Sequence, residues 1–186
     1  MRQLRYSVAA SLDGCIAGPN GEFDWIVVDP EIDFAAMYAG FSGIVMGRRS
    51  YEVSVRSAGA PALPLPAYVY SRTLPEGERD GVTFARDAVS HVRRLKASDG
   101  KPLWLWGGGE LFRDLARAGL VDGVDIAIVP ILLGGGVPLY PPGGPRLPLR
   151  LRAERRYAAT GTLLLEYDVI ARQALARPGP PAAPSR

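Results

Sequence analysis

The sequence is poor in cysteine, and it has no long apolar run and no large excess of either charge. Its single cysteine, Cys15, excludes an intramolecular disulfide framework and is typical of a protein from a reducing compartment. The longest apolar stretch, around Ile126–Leu133, is interrupted by Pro130 and is far shorter than a membrane-spanning helix. The first residues, Met1–Ser11, contain no apolar run of signal-peptide length. We therefore expect a cytoplasmic protein without a membrane partner.

The net charge of +3 is too small, and too unevenly placed, for a nucleic-acid-binding surface. Residues 173–186 contribute +2 and residues 146–172 contribute +3, so residues 1–145 carry −2. A nucleic-acid-binding domain needs a strongly basic face. We therefore expect no nucleic-acid partner.

The chain is long enough for one well-buried domain and too short for two. It has 186 residues, of which 47% are hydrophobic. We assign residues 1–172 to this domain. Residues 173–186 contain four prolines and few bulky apolar side chains, so little burial would offset the entropy lost on ordering. We predict that residues 173–186 form a disordered tail rich in proline and alanine.

Strand and helix patterns alternate along most of the domain. Strands are predicted at Arg5–Ala10, Ile44–Met46, Ala67–Tyr70, Val82–Phe84, Leu103–Trp106, Val124–Pro130, Leu147–Leu151 and Thr162–Ile170, and helices at Glu31–Ala39, Ser50–Val55, Asp87–Ala97 and Glu110–Ala118. This alternation predicts an α/β fold, with a central, mostly parallel sheet and helices on both faces. Near the C-terminus, Arg152–Tyr157 and Thr162–Ile170 predict an antiparallel hairpin.

The segment Leu103–Leu111 is the sharpest chemical signal. An apolar strand runs into three glycines, and a helix pattern begins immediately after them. Glycine allows the backbone to approach a ligand closely, and the N–H groups of a helix N-terminus suit phosphate oxygens. A tight strand-to-helix turn without any ligand is an equally good interpretation. The spacing differs from the Rossmann fingerprint, and there is no Walker A lysine.

Two further strand ends carry hydroxyl groups and arginines. In Val45–Glu52, Arg48 and Arg49 follow a glycine and suit a phosphate, although Ser50 could simply cap a helix. The strand end Val69–Arg72 places another hydroxyl and another cation at a similar position. In open α/β sheets, ligands bind beyond the carboxyl ends of the strands. The combination favours an anionic, nucleotide-like ligand.

The ordered set of motifs resembles the dihydrofolate reductase-like superfamily, in particular its bacterial branch similar to the reductase domain of riboflavin biosynthesis. The matching segments are Ser11–Gly18, Met46–Glu52, Tyr70–Leu74, Gly107–Asp122 and Pro130–Tyr140, within residues 5–170. The resemblance implies a single-domain, three-layer dihydrofolate reductase-like fold. It also implies a homodimer, for which Pro130–Tyr140 is a candidate edge.

The resemblance further implies an NADPH-dependent oxidoreductase that transfers hydride to a pteridine-like or pyrimidine-like heterocycle. One specific version is 5-amino-6-(5-phosphoribosylamino)uracil reductase of riboflavin biosynthesis. One cysteine and one histidine cannot build the zinc site of the deaminase domain that is often fused to that enzyme. The alternatives are dihydrofolate reduction, a binding module that holds NADPH without turnover, and an interaction protein.

The resemblance implies a specific set of NADPH-binding residues. The nicotinamide end would be contacted by Ala9 and Ile16, and the adenosine 2′-phosphate would lie near Ser71 and Arg72. Phosphates would be held by Gly47, Arg48, Arg49 and Ser50. The pyrophosphate would be held by Gly107, Gly108, Gly109, Glu110 and Leu111. It also implies a cis peptide between the first two of those three glycines. Arginine suits a 2′-phosphate, whereas NAD recognition prefers a carboxylate on the ribose.

The proton donor implied by the resemblance is a carboxylate on the first helix. Three acids, Asp29, Glu31 and Asp33, lie around the predicted helix start. Alignment on Pro30 places the family's acid at Ile32, so the match is inexact, and we predict Asp33 as the catalytic residue. The alternative is that these acids cap the helix or interact with its dipole.

The remaining site predictions concern the substrate side. We predict that Asp13 lines the loop after the first strand and that Trp25 offers a flat surface to a heterocycle, although Trp25 could also be a core residue. Cys15 is interpreted as a packing residue and His91 as a surface residue of the third predicted helix. We predict no metal ligands.

Overall fold

The computed structural model describes residues 1–58 and 63–170, and these residues form two sheets and four helices. The strands are β1 (Leu4–Ser11), β2 (Cys15–Ala17), β3 (Gly43–Gly47), β4 (Ala67–Tyr70), β5 (Gly77–Arg79), β6 (Val82–Ala85), β7 (Leu103–Gly107), β8 (Gly123–Val129), β9 (Val137–Pro138), β10 (Leu149–Arg156) and β11 (Leu163–Val169). The helices are α1 (Phe34–Ala39), α2 (Arg48–Ala58), α3 (Ala88–Ala97) and α4 (Gly109–Arg117).

The large sheet has the strand order β10-β11-β8-β1-β7-β3-β4-β6-β5. The run from β8 to β6 is parallel throughout. At one edge, β11 and β10 are antiparallel, and at the other edge β5 is antiparallel to β6. Strands β2 and β9 form a separate small sheet. This arrangement confirms the predicted α/β fold with a mostly parallel sheet and a C-terminal antiparallel hairpin.

Helices cover both faces of the large sheet, as predicted. On one face, Tyr6 of β1 stacks on Phe112 of α4 with a ring-centroid distance of 4.0 Å, and Val92 of α3 joins the same buried cluster. On the other face, Tyr38 of α1 packs against Trp104 of β7, with the ring centroids 5.9 Å apart. Helices α3 and α4 therefore pack against one face of the sheet, and α1 packs against the other.

The structure adds three short strands that the sequence did not predict, β2, β5 and β9, and it shifts several element boundaries. The predicted strand Leu147–Leu151 and hairpin arm Arg152–Tyr157 are one continuous strand, β10, which pairs with β11 through a bulge between Leu151 and Ala153. The bulge shifts the alternation of side chains, and this shift made one strand look like two. Helix α1 begins three residues later than predicted, and α2 begins two residues earlier.

Two individual side chains test the sequence interpretation of the core. Cys15 is buried, which confirms that it is a packing residue. His91 was expected on the surface, but it is half-buried, and its ring lies edge-on to both Tyr68 and Tyr70. Burial lowers the pKa of His91, and the nearby positive charge of Arg94 lowers it further.

Three further expectations concern the tail, membrane-spanning helices and metal sites. The predicted tail, residues 173–186, lies outside the described residues, so the domain boundary at residue 172 stays a prediction. Among residues 1–58 and 63–170, no helix combines the length and the apolar character that a bilayer crossing requires. Within the same ranges, no group of three or more acidic, histidine or cysteine side chains is arranged to hold a metal ion.

Candidate functional site

The three motifs that predicted an anionic ligand end at one edge of the sheet. Strands β4, β3 and β7 are consecutive and parallel. At their carboxyl ends, Gly47 is in register with Tyr70, and Met46 is in register with Gly107. The structure therefore brings together the glycine turn after β7, the arginine-rich start of α2 and the turn after β4.

The glycine turn is a close-packed connection from β7 to α4. The Gly107–Gly108 peptide is cis, as the resemblance implies, and Gly107 has a φ of 151°, which favours glycine. A Cβ atom on Gly107 would lie 3.1 Å from Oγ of Ser50, and one on Gly109 would lie 2.7 Å from the carbonyl oxygen of Pro138. Side chains other than hydrogen therefore do not fit at these positions without movement of their neighbours.

The N-terminus of α4 is left open to a ligand by this turn. Gly108 is the N-cap residue, and it has no side chain to accept a hydrogen bond from the first helical turn. The first N–H groups of a helix need partners, and together with the helix dipole they favour an anion. Glu110 and Leu111 lie in this first turn, where their backbone N–H groups are the predicted phosphate donors.

A second helix N-terminus lies at the same edge. Helix α2 begins at Arg48, directly after Gly47, and the space beside the Cβ position of Gly47 is empty to 4 Å. Arg48 and Glu52 form an exposed ion pair with an N–O distance of 3.3 Å. Arg49 is exposed and has neither a hydrogen bond nor an ion pair to any described residue. Two arginines at the start of α2 and two helix N-termini therefore lie at this edge.

Ser71, predicted to lie near a cofactor phosphate, makes hydrogen bonds that stabilise the turn after β4. Its buried Oγ accepts hydrogen bonds from the backbone N–H groups of Thr73 (3.1 Å) and Leu74 (2.9 Å). Oγ of Ser71 also lies 3.3 Å from Oγ1 of Thr73, so the hydroxyl is engaged within the turn itself. Arg72 is exposed and, among the described residues, has no polar partner. Of this pair, Arg72 is the freer group for a 2′-phosphate.

The predicted nicotinamide-end residues lie on the neighbouring strands. Ala9 belongs to β1, which pairs with β7 on one side and β8 on the other. Ile16 is the central residue of β2, whose partner β9 contains Pro138. Since Pro138 packs against Gly109, the small sheet continues the wall that begins at the glycine turn. The segment Pro130–Tyr140, predicted as a dimer edge, thus also forms part of this wall.

Asp13 anchors two loops to each other. Its carboxylate accepts hydrogen bonds from Oγ of Ser11 (2.6 Å) and from the backbone N–H groups of Leu133 (3.2 Å) and Gly134 (2.8 Å). The Ser11 hydroxyl, followed by the two backbone groups, lowers the pKa of Asp13. Asp13 therefore remains a carboxylate and positions the loop after β1 against the loop after β8.

Trp25 lies within the long connection between β2 and α1. Its ring is half-exposed, and Nε1 donates to the carbonyl oxygen of Glu22 over 3.2 Å. Nearby in the chain, Phe23 is 43% exposed. The structure thus places Trp25 at the protein surface rather than in a core cluster, where an aromatic face can meet a flat ring.

The predicted catalytic acid Asp33 is the N-cap of α1. Its Oδ1 accepts a hydrogen bond from the backbone N–H of Ala36 over 2.9 Å, and the side chain is exposed. This is the capping role that the alternative interpretation foresaw. The proton-donor role of Asp33 stays a prediction.

Asp29 has a structural role that sequence reasoning missed. The residue is almost completely buried and accepts hydrogen bonds from the N–H of Glu31 (3.0 Å) and from both the N–H (3.1 Å) and Oγ1 (3.0 Å) of Thr160. The Glu31 bond is the largest of the effects that lower the pKa of Asp29. Asp29 therefore joins the segment before α1 to the β10–β11 turn and is a poor proton donor.

Comparison with known proteins agrees with this architecture. The family model of the RibD C-terminal domain matches residues 2–164. Two uncharacterized Bacillus subtilis proteins are similar: YyaP is 29% identical over 178 residues (89% of this chain and 94% of YyaP), and YwjB is 30% identical over 155 residues (81% and 89%).

Solved structures with the same fold include proteins of riboflavin biosynthesis. A proposed riboflavin biosynthesis protein from Shewanella sp. PV-4 is 26% identical with a TM-score of 0.78, covering 92% of this chain and 100% of that one. A Thermotoga maritima diaminohydroxyphosphoribosylaminopyrimidine deaminase/5-amino-6-(5-phosphoribosylamino)uracil reductase shares the fold at 16% identity and a TM-score of 0.65, covering 91% of this chain and 57% of that one. A pyrimidine reductase-like protein from Corynebacterium diphtheriae has a TM-score of 0.65 at 15% identity, covering 91% and 92%.

Proposed function

The chain belongs to the RibD C-terminal domain family, and we propose that it is an NADPH-dependent reductase that transfers hydride to a pteridine-like or pyrimidine-like heterocycle. Family membership supports a reductase-like role of the kind found in the riboflavin pathway. The observation that carries the finer proposal is the convergence of two helix N-termini, a glycine turn and three exposed arginines at the carboxyl ends of β3, β4 and β7.

The donor set fits the phosphates of NADPH. The N-termini of α2 and α4 each suit a phosphate group, and close-packed glycines let backbone N–H groups approach it. Arg49 and Arg72 are exposed and have no polar partner among residues 1–58 and 63–170, while Arg48 is engaged only at the surface. Guanidinium groups bind phosphate oxygens in a bidentate manner. A cofactor with three phosphate groups therefore accounts for cations that the fold itself does not use.

Bound NADPH would supply the hydride, and the chain would orient the cofactor and deliver a proton to the substrate. Asp13 and Asp29 are each held as carboxylates by three hydrogen bonds. Asp33 is bonded only through Oδ1 to the helix it caps, so its Oδ2 is available to a substrate. This difference supports Asp33 as the acid among the candidates, in line with general acid catalysis by a positioned carboxyl group.

A cofactor titration tests the proposal directly. Trp106 directly precedes Gly107, so bound NADPH should quench protein fluorescence and show energy transfer, and NADH should bind much more weakly. An absence of saturable NADPH binding at high micromolar concentration would refute the proposal. Oxidation of NADPH, followed at its nicotinamide absorbance with dihydropterins, flavins and ribosylaminopyrimidines, then separates a reductase from a binding module without turnover.

The assembly is a further part of the proposal. We propose that the protein forms a homodimer, with Pro130–Tyr140 at or near the contact. The exposed Leu132 and Val137 in this segment support that location, since apolar side chains are enriched in the core of protein interfaces. Sedimentation velocity of the purified chain should give the mass of two copies, and a single species at 20.0 kDa would contradict the proposal.

A further inference from the structure

Two loops form the substrate side of the sheet edge and continue the wall of the cofactor groove. One is the connection from β1 to α1, and the other follows β8. They are joined by backbone hydrogen bonds from Leu12 to Ile131 (2.8 Å) and from Leu139 to Gly14 (2.9 Å). Because β8, β1 and β7 are neighbouring parallel strands, both loops start at the edge where the glycine turn lies.

All formal charge on these two loops is negative. Residues 6–47 contain no lysine, arginine or histidine, and residues 130–145 contain no charged residue. The acids of the first segment are Asp13, Glu22, Asp24, Asp29, Glu31 and Asp33. The cations at this sheet edge instead follow β3, β4 and β6, beyond the glycine turn; they are Arg48, Arg49, Arg72 and Arg86, and the last of these pairs with Glu76 at 3.8 Å.

The hairpin β10–β11 brings one arginine to the substrate side, and that arginine is neutralised. Arg155 pairs with Glu31 at 3.3 Å, and its guanidinium lies 4.7 Å from the ring centroid of Tyr157. Arg156 is the next residue along the same strand, so its side chain points to the opposite face of the hairpin. The formal charge of the substrate side is therefore negative even with the hairpin included.

The same loops also expose large apolar side chains. Leu12 is 63% exposed, Leu132 is 69% exposed, and Val27 and Val28 are each more than half exposed. Trp25 adds a half-exposed ring. Apolar surface favours a flat ring system, whereas a surrounding negative potential repels a phosphate group that carries nearly two negative charges.

We propose that the substrate of this reductase carries no phosphate group and is an uncharged or cationic heterocycle at neutral pH. This inference rests on the proposed NADPH-dependent function and specifies the substrate class of that site. It separates this chain from an enzyme that reduces a phosphoribosylaminopyrimidine, since the phosphate sites of the edge are those assigned to the cofactor.

Inorganic phosphate, observed by phosphorus NMR, tests the inference without turnover. The free protein should broaden the phosphate signal and lose this effect when NADP⁺ is added, because phosphate competes for the cofactor edge. The NADP⁺-saturated protein should show no saturable phosphate site with a Kd below ~1 mM, which corresponds to about −4 kcal/mol. A tighter second site would overturn the inference. Failure of NADP⁺ itself to bind would instead overturn the proposed function, so the two failures are distinguishable.

A matched substrate pair and two charge variants complete the test. A ribosylaminopyrimidine should have a kcat/KM at least ~10-fold above that of its 5′-phosphate, because like charges brought together in a site are costly. Glu31→Gln would release Arg155 and should narrow this ratio, whereas Glu22→Gln, an acid in the same connection without an arginine partner, should change it less. A preference for the 5′-phosphate in the unmodified protein would contradict the inference.

Discussion

Replacement of Gly47 by alanine should weaken NADPH binding while leaving the fold intact. A Cβ atom at this position would meet no protein atom within 4 Å, and the residue is the last of β3, directly before α2. The fold therefore has room for the methyl group, and a Gly→Ala change at a compatible position alters the stability by less than about 1 kcal/mol. If cofactor phosphate occupies this space, the methyl group displaces it, and we expect a Kd increase of about tenfold, equal to about 1.4 kcal/mol.

Gly109→Ala is the matched comparison at the other helix N-terminus. Its Cβ would lie 2.7 Å from the carbonyl oxygen of Pro138 and 2.8 Å from Cδ of Pro141, so α4 or the proline segment has to move. Overpacking of this kind costs about 1–3 kcal/mol. In a chain of this length, that cost lowers the Tm by about 2–12 °C. Gly109→Ala should therefore lower both the Tm and the affinity, whereas Gly47→Ala should lower only the affinity.

Circular dichroism melts and NADPH fluorescence titrations of the two variants give the required pair of measurements. An unchanged Kd in Gly47→Ala, in a protein that binds NADPH, would show that the empty space after β3 is not part of the cofactor site. An unchanged Tm in Gly109→Ala would refute the packing argument. Titration with NADH in parallel reports whether the loss is confined to the cofactor with a 2′-phosphate.

Three other variants test the arginines and the buried carboxylates. Replacing Arg48 and Arg72 together with alanine should narrow the preference for NADPH over NADH, measured as a ratio of Kd values, because both lie at the predicted phosphate end; an unchanged ratio would contradict that assignment. Asp29→Asn should lower the Tm at neutral pH. Since the folded-state pKa of Asp29 is lowered, its stabilisation is fully present above the unfolded pKa of about 4 and is lost as the pH falls through the folded value. The Tm difference between variant and parent should therefore be constant above about pH 4 and shrink as the pH falls below it. Asp125→Asn breaks the buried pair in which Arg5 approaches the carboxylate to 2.6 Å. Its free energy of unfolding, measured in urea, should fall by about 3–5 kcal/mol. A decrease below about 1 kcal/mol would show that the fold does not need the pair.

The cofactor half of the site could be predicted from sequence because its signals are local. The turn at Gly107–Gly109 is marked by three glycines between a strand pattern and a helix pattern, and Gly47 and Ser71 follow strands in the same way. Parallel strands place their carboxyl ends at the same edge of a sheet, so the motifs were expected to meet. The order β4-β3-β7 fulfils that expectation.

The substrate half depends on contacts between residues that are far apart in the chain. Asp29 and Thr160 are separated by 131 positions, and no short-range pattern indicates that this carboxylate is buried by a hairpin turn. Asp13 likewise bonds to Gly134 across the gap between two loops. Their side chains looked like free acids in the sequence, because the groups that hold them come from tertiary structure. The cap formed by Asp33, by contrast, is local and was foreseen as an alternative.

The uneven distribution of charge along the sheet edge would fix the direction in which a dinucleotide lies. Arginines follow β3 and β4, the glycine turn follows β7, and the acidic loop follows β1. From β4 to β1 there are three strand spacings, about 14 Å in total. A cofactor with its 2′-phosphate near Arg72 and its pyrophosphate at the N-terminus of α4 would place its least anionic end beside Ala9, next to Asp13 and the apolar loops. The reverse orientation would bring a phosphate to the acids and leave the arginines without a partner. The same change from positive to negative charge along the sheet edge therefore selects the cofactor orientation and also favours an uncharged or cationic substrate.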